Sequence, residues 1–497
     1  MVDALAGSAQ QSGLQQDSLA RLEAVLALQK SAQIKDGPPT LEIRRDRLER
    51  CIQALRDHSE NLAAAISKDY GHRSRDWSLL SDVAGAIESL RFARDNLKDW
   101  MAPEKRKPSF PLWWFGARAS VQFQPKGIIG IISPWNQPVV FALAPAAGAL
   151  AAGNRVIIKP SEQTPHTAKA LHEMISSVFH EEEIAVLQGG HPMAVAMVKY
   201  GVDHIVYTGA AAGARDIMAA AAETLTPVTL ALGGKCPVII GRSADVKMAA
   251  QRVMMGKLMN AGQICVAPDY VFVPAELLSA FVEHARDAVT AMYPAIQGND
   301  DYTGIINEAH YKRLLALIED AKAKASPVVE INPANENLSA DPGRRIAPTL
   351  IISPADNVKA MQEEILGPVL PVKTYAQIDE AIAFIAARPH PLALYYFGEE
   401  RGQECELVLA NSLSGGVTIN DVIFHAGQED LPYGGIGPSG IGAYHGRDGF
   451  LEFSNRRAIY TQVKSDLTGT LRPPFGEKFR SYVRAQIGSA ETDKKAE

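Results

Sequence analysis

Basic residues are not in excess in this chain. Its 497 residues carry 50 Lys and Arg against 56 Asp and Glu, for a formal charge of −6 and a pI near 6.1. That balance supplies no electrostatic footprint for nucleic acid. Cysteine is scarce as well. Cys51, Cys236, Cys265 and Cys405 are too few and too scattered for a disulfide framework or a metal site, so each is expected as a thiol in a reducing compartment. The opening MVDALAGSAQQSGLQQDSLA lacks the basic and apolar regions of an export signal, which makes the cytoplasm the expected location. The longest uncharged stretch, Gly127 to Asn154, is broken by Pro134, Asn136, Gln137, Pro138 and Pro145. It therefore reads as a buried strand, a turn and a buried helix rather than a membrane span. No internal repeat or low-complexity tract is present. With 46% hydrophobic and 21% charged residues, disorder and fibrous structure are excluded. The length predicts two or three domains of about 100 to 200 residues each.

From Asp17 to about Trp100 apolar residues recur at helical spacing, as in Leu41, Ile43, Leu48, Ile52 and Leu55, and then Leu62, Ala65 and Ile66, which predicts several amphipathic helices. From Val121 onward short β-rich runs (Ile128 to Ile132, Val156 to Lys159, Ile184 to Leu187, His204 to Tyr207, Val228 to Leu230) alternate with Ala-rich helical segments such as Thr167 to Val178 and Arg215 to Thr224. Such alternation predicts right-handed crossovers and a parallel, doubly wound α/β sheet. A second alternation runs from Pro237 to Phe424, with a helix around Val246 to Asn260; Asn332 to Pro348 is an excursion before β-rich sequence resumes at Thr349 to Ile352. A strand-like Ala458 to Val463 comes with little sequence left to pair it, which suggests an arm that pairs with another chain.

Several residues invite chemistry, each with a plainer alternative. Cys265, in NAGQICVAP, is flanked by small residues that let a ligand approach the sulfur, although lone cysteines are commonly inert core residues. Asn136, in SPWNQP, follows a buried strand at a tight turn, where its amide can donate to an oxyanion or simply suit the turn. Lys159 and Glu162, in KPSEQTP, sit at the carboxyl end of a predicted parallel strand, where doubly wound sheets bind ligands; a solvated turn is the alternative. YTGAAAGA follows a strand and opens a helix, so its small residues either admit a pyrophosphate or serve helix packing. Glu364, in EEILGP, says little alone.

Taken together, the ordered segments PWN, KPSE, TG, LGGK, GQxC, ExxGP and PxGGxGxSG resemble the aldehyde dehydrogenase superfamily over about residues 40 to 465. NAGQICVAPDY, SGGVTIND, GAYHG and RPPFGEKF are most similar to the branch holding class 3 and coniferyl aldehyde dehydrogenases. The resemblance implies an α/β fold with a Rossmann-like cofactor domain, an α/β catalytic domain and an oligomerisation arm. Its segments are N-terminal helices (1–118), part of the arm (119–126), an NAD(P)-binding domain (127–231), a catalytic domain (232–425), a return to the cofactor domain (426–454), and arm and tail (455–497). It makes Cys265 the nucleophile and gives the oxyanion hole to Asn136 and the Cys265 N–H. Lys159 and Glu162 hold the adenosine ribose and Glu364 the nicotinamide ribose, while Ser133, Trp135, Gly189, Thr208, Gly209, Ala210, Leu232, Gly233 and Leu366 complete the cofactor site. The implied cofactor is NAD, with NADP possible; Glu162 accepts from a ribose 2′-OH and repels a 2′-phosphate. The implied substrate is an apolar aldehyde, aromatic or of medium to long chain, with the aromatics of Pro111 to Phe115 and of Tyr433 to Tyr444 either lining the pocket or packing the core. A homodimer or homotetramer is expected. The basic tail, with Lys478, Arg480 and Arg484 beside Phe475, Phe479 and Tyr482, is assigned to subunit contact rather than to a membrane surface.

Two departures stand out. Where the family carries a general-base Glu in TLELGGK, this chain reads TLALGGK, with Ala231 in that place. In YTGAAAGA the second glycine, Gly213, falls one position early, and Ala214 takes its usual place. By the resemblance, thiolate attack and oxidation are intact, but activation of the hydrolytic water has lost its base, at a cost of about 10²- to 10⁴-fold. Four readings stay open: an engineered or natural loss of the base, a proton relay through Glu364, transfer of the acyl group to coenzyme A, or a silent binding protein that keeps the fold.

Overall fold

The computed structural model describes residues 2–109, 112–466 and 469–488; Pro111, named above, lies outside them. Among the described residues the strands are β1 Glu104–Arg106, β2 Arg118–Pro125, β3 Ile128–Ile132, β4 Arg155–Lys159, β5 Ile184–Val186, β6 His204–Gly209, β7 Val228–Leu232, β8 Pro237–Ile240, β9 Tyr270–Pro274, β10 Val328–Glu330, β11 Thr349–Ile352, β12 Val369–Tyr375, β13 Ala393–Phe397, β14 Gly416–Ile419, β15 Gly440–Ile441 and β16 Ser454–Thr461. They form three sheets, ordered β15-β7-β6-β3-β4-β5, β10-β11-β12-β9-β8-β13-β14, and β1-β2-β16.

The first two sheets belong to one compact unit, built from Met1–Trp100 and Gln124–Asn455. In the first of them β3 to β7 are parallel and β15 runs antiparallel beside β7. Strand β3, IIGII, is buried along its whole length, as a parallel strand covered on both faces must be, and its sequence is accordingly a continuous apolar run. The chain leaves β3 toward β4 and β5, then returns to place β6 on β3's other side. The order therefore reverses between β3 and β6, which opens a crevice at the carboxyl ends of these strands. The helix Val140–Ala151, the second half of the uncharged stretch, is almost wholly buried. Leu22, Val25 and Leu26 of the first helix, Val2–Asp36, join the core under this sheet with Ile128, Ile157 and Ile205.

The second sheet is parallel from β11 to β14, with β10 antiparallel at its edge. Its core gathers Ile239, Phe272, Leu314, Ile351, Val369 and Leu394. Between β10 and β11 the excursion holds only a short 3₁₀ turn, Leu338–Ala340.

The other unit comprises Met101–Phe123 and the chain from Arg456 onward. Here the structure corrects an expectation. The late strand, β16, does not lack a partner within its own chain, because it lies beside β2, which comes more than 300 residues earlier. The resemblance places 119–126 and 455–497 in one arm, in keeping with this pairing, and β16 keeps a single neighbour and an almost wholly exposed surface. No helix among the described residues is long and apolar enough to cross a membrane.

Candidate active site

The site begins where a helix fails. The expected helix over Val246 to Asn260 stops at Leu258, because Asn260 and Ala261 adopt left-handed backbone at φ 51° and Gly262 follows at 77°. Only glycine fits this third position, since a Cβ there would lie 2.3 Å from the Gly367 carbonyl oxygen. Gln263 then locks the turn. Its amide donates to the carbonyls of Asn260 and Gly304, both at 3.0 Å, and its side-chain oxygen accepts from the Ile306 N–H at 3.1 Å. Cys265 emerges from this turn partly exposed, whereas Cys51, Cys236 and Cys405 are buried. Its Sγ lies 3.3 Å from the Tyr433 hydroxyl, and its carbonyl accepts from the Cys236 thiol at 3.4 Å.

Asn136 is held by its own carbonyl. That oxygen accepts from Tyr70 Oη at 3.0 Å, Arg73 Nη1 at 3.2 Å and Asn260 Nδ2 at 3.0 Å. Arg73 is anchored in turn by Asp82 at 2.6 Å, an ion pair with both side chains fully buried, and Asp82 also accepts from the Val139 N–H at 3.0 Å. Asn260 Nδ2 reaches the Gln263 carbonyl as well, at 3.2 Å, so a single amide couples the Asn136 turn to the Cys265 turn.

Glu364 comes to the same place. Its Oε1 accepts from the Gly234 N–H at 3.1 Å, and its carboxylate fills the space where a Gly233 side chain would stand, with a Cβ falling 2.1 Å from Oε2. The segment around it is pinned by Arg313, which donates to the Glu364 and Ile365 carbonyls, and by Asp269, which accepts from the Ile365 N–H at 2.9 Å. Leu366 then turns left-handed at φ 45°. Lys235 of LGGK bonds Asp269 and the carbonyls of Ala360 and Glu363, so this lysine serves as a clamp between loops. Ala231, near the end of β7, is buried and pairs with Thr208 and Gly440. Leu232 is a core residue packed with Ala214 and Leu230.

Ser133, Lys159 and Thr208 to Ala210 lie at or just beyond the carboxyl ends of the adjacent strands β3, β4 and β6. The Ser133 hydroxyl is buried without a hydrogen-bond partner. The buried Lys159 amine donates to Glu162 at 2.6 Å. Burial opposes the charge of Glu162, yet the Lys159 hydrogen bond holds the carboxyl below its ordinary range. Gly189 sits farther out, past β5, with the Met193 side chain against it. The Trp135 ring packs with those of Tyr70 and His310, at centroid distances of 6.3 and 4.9 Å. Gly209 and Gly213 make room for the Tyr207 phenol: a Cβ at either would fall 2.7 or 2.4 Å from its hydroxyl. Packing therefore accounts for both glycines.

The electrostatics are those of a dry site. Burial pushes the Cys265 thiol up to about 11, opposed by the Tyr433 hydrogen bond and reinforced by the charge of Glu364. Glu364 itself is raised to about 7 by burial and by Asp269. Tyr70, Arg73 and Asp82 escaped the sequence reading, because nothing in their local sequence marks them. Asn260 and Gln263 lie inside NAGQIC, so a signal was there, but not their task. The arrangement sets a thiol, an anchored turn amide and a buried carboxylate beside a crevice suited to a dinucleotide.

Comparison with known proteins identifies the family. The profile of the Aldehyde dehydrogenase family matches residues 17–459. The chain is 52% identical to the probable coniferyl aldehyde dehydrogenase of Caulobacter vibrioides, over 93% of this chain and 96% of that one. It is 46% identical to the coniferyl aldehyde dehydrogenase of a Pseudomonas species, over 94% and 97%. The substrate-bound structure of Staphylococcus aureus AldH superposes with a TM-score of 0.87 at 32% identity, covering 94% of this chain and 99% of that one. A match over most of the chain leads to one conclusion: this protein belongs to the aldehyde dehydrogenase family.

Proposed function

We propose that the chain oxidises an apolar aldehyde of the aromatic, coniferyl type to its acid, with Cys265 as nucleophile, and that the missing carboxylate at position 231 slows the final hydrolysis. The observation that carries this reading is the Asn260 amide, which couples the Asn136 turn to the Cys265 turn. The aromatic substrate class rests on the names of the relatives and on Phe141 and Tyr444, which pack about the Tyr433 ring whose hydroxyl meets the sulfur. On this reading the sheet of β3 to β7 is the cofactor-binding domain and that of β8 to β14 the catalytic domain.

The crevice residues fit a nicotinamide dinucleotide. The unpartnered Ser133 hydroxyl, the Lys159 and Glu162 pair, and the Glu364 carboxylate seated on Gly233 are the groups that would hold it. When bound, it supplies the two-electron oxidant. Glu162 favours a ribose diol over a 2′-phosphate, hence NAD over NADP. The Cys265 thiolate adds to the aldehyde carbon, and the Asn136 amide and the Cys265 N–H stabilise the oxygen as it gains charge. After oxidation the acyl group rests on Sγ. Its release needs a base for water, and the methyl of Ala231 cannot take a proton. Glu364, with a pKa of about 7, is the buried carboxylate placed to substitute slowly.

Free thiols at all four cysteines suit a reducing cytoplasm. The free side of β16 suits pairing with a second copy.

The test is a panel of aryl and alkyl aldehydes assayed with NAD and with NADP. Oxidation of an aryl aldehyde that disappears in Cys265→Ala is expected. Undiminished oxidation by Cys265→Ala would sink the reading, and saturable cofactor binding without any oxidation would favour a silent binding protein.

A further inference from the structure

Tyr433 reaches the sulfur from an unexpected direction. It lies in the glycine-dense LPYGGIGPSGIGAYHG, whose β15 pairs with β7 across Ala231, so the chain that covers the vacant carboxylate position also delivers a phenol to Cys265. The ring is buried and clamped: it stacks on His445 at 5.0 Å and 18°, lies nearly parallel to Phe141 at 6.3 Å and 21°, and meets the edge of Tyr444 at 5.5 Å and 76°. Its hydroxyl stands 3.3 Å from Sγ. A phenol in so dry a setting keeps its proton, and a thiol is a poor donor, so the strong form of this contact is O–H donating to S⁻.

We propose that Tyr433 is a catalytic residue that activates Cys265, its hydroxyl donating to Sγ and holding the thiolate, a task left open by the methyl group at position 231. This rests on Cys265 being the nucleophile. The thiol proton leaves to water and Tyr433 keeps its own. Other ionisable groups face the sulfur from separate elements: Glu364, whose negative charge opposes the thiolate, the Cys236 thiol, and the Tyr395 and Tyr444 phenols. Among these Tyr433 is the group hydrogen-bonded to Sγ.

The experiment is alkylation of Cys265 by iodoacetamide in the full chain, followed by peptide mass spectrometry between pH 7 and 11. Tyr433→Phe keeps the ring and removes the donor. Its thiol titration is expected to move up by about one unit, as loss of one charge-assisted hydrogen bond implies. At pH 8 Cys265 should then label about tenfold more slowly, with the gap starting to narrow as pH approaches 11 and a melting temperature near that of the parent. A purely structural role for Tyr433 leaves the profile in place, and an unshifted or downshifted profile overturns the proposal. If Tyr433→Phe does not fold, 3-fluorotyrosine at position 433, a slightly more acidic phenol, replaces it. Faster labelling at pH 8 is expected there, and equal or slower labelling overturns the proposal. Full aldehyde oxidation by Cys265→Ala would instead overturn the nucleophile reading, an outcome distinct from any Tyr433 result.

Discussion

The side-chain amide of Asn260 donates to the main-chain carbonyl of Asn136 at 3.0 Å, across more than 100 residues of sequence. Because Asn260 stands in left-handed backbone five positions before Cys265, this bond ties the turn that carries Cys265 to the turn that carries Asn136. The relative placement of the two turns is thereby held by a buried hydrogen bond to main chain.

The present sequence should show a rapid burst of cofactor reduction of about one per site, then a slow steady rate limited by release of the acyl group. Ala231→Glu should raise the steady rate by roughly 10²- to 10⁴-fold with little change in cofactor affinity. Stopped-flow absorbance measures both phases. A folded, cofactor-binding Ala231→Glu that turns over no faster would move deacylation to Glu364 or to an acceptor such as coenzyme A, and adding coenzyme A would decide between them.

Labelling should single out Cys265. Cys51, Cys236 and Cys405 are buried, and burial pushes the Cys51 thiol up to about 12, so brief iodoacetamide treatment of the native protein should modify Cys265 first and abolish the burst. Replacing the other three together by serine should leave that burst intact in a folded protein. Loss of cofactor reduction there would overturn the assignment.

Asp82→Ala should destabilise the fold by about 3–5 kcal/mol, since it strands the buried Arg73 guanidinium, and it should slow turnover because Arg73 helps hold Asn136. Urea unfolding reads the first effect. A loss under about 1 kcal/mol would show that the pair is not the anchor described.

Glu364 has a worked sign. Folding raises it from 4.5 to about 7, so the native state binds the proton more tightly. Its contribution to stability is full below pH 4.5 and is lost as pH rises through 7. Glu364→Gln should flatten that slope in denaturation run from pH 4 to 8. It should also lower the Cys265 titration, because the opposing charge is gone. An upward shift would contradict the placement of the two groups.

Pairing of β16 with a second copy predicts a dimer or larger assembly in sedimentation. A stable species at the chain mass of 53.6 kDa would count against it.

The sequence by itself determined the alternation that builds parallel sheets, because strands buried on both faces must be continuous apolar runs such as IIGII. It also marked Cys265, Asn136 and Glu364 as candidates, because GQIC, PWN and EEILGP are local patterns that local backbone demands enforce, as Gly262 illustrates. Tertiary structure alone decided what holds them. Tyr70, Arg73 and Asp82 act on Asn136 through hydrogen bonds between segments far apart in the chain, and a single buried Arg or Asp leaves no periodic trace. It also decided that β16 finds β2 across more than 300 residues, a pairing no local propensity encodes. And it brought Tyr433 to Cys265, because the direction in which a glycine-rich loop folds back is set by what it packs against, not by its own residues.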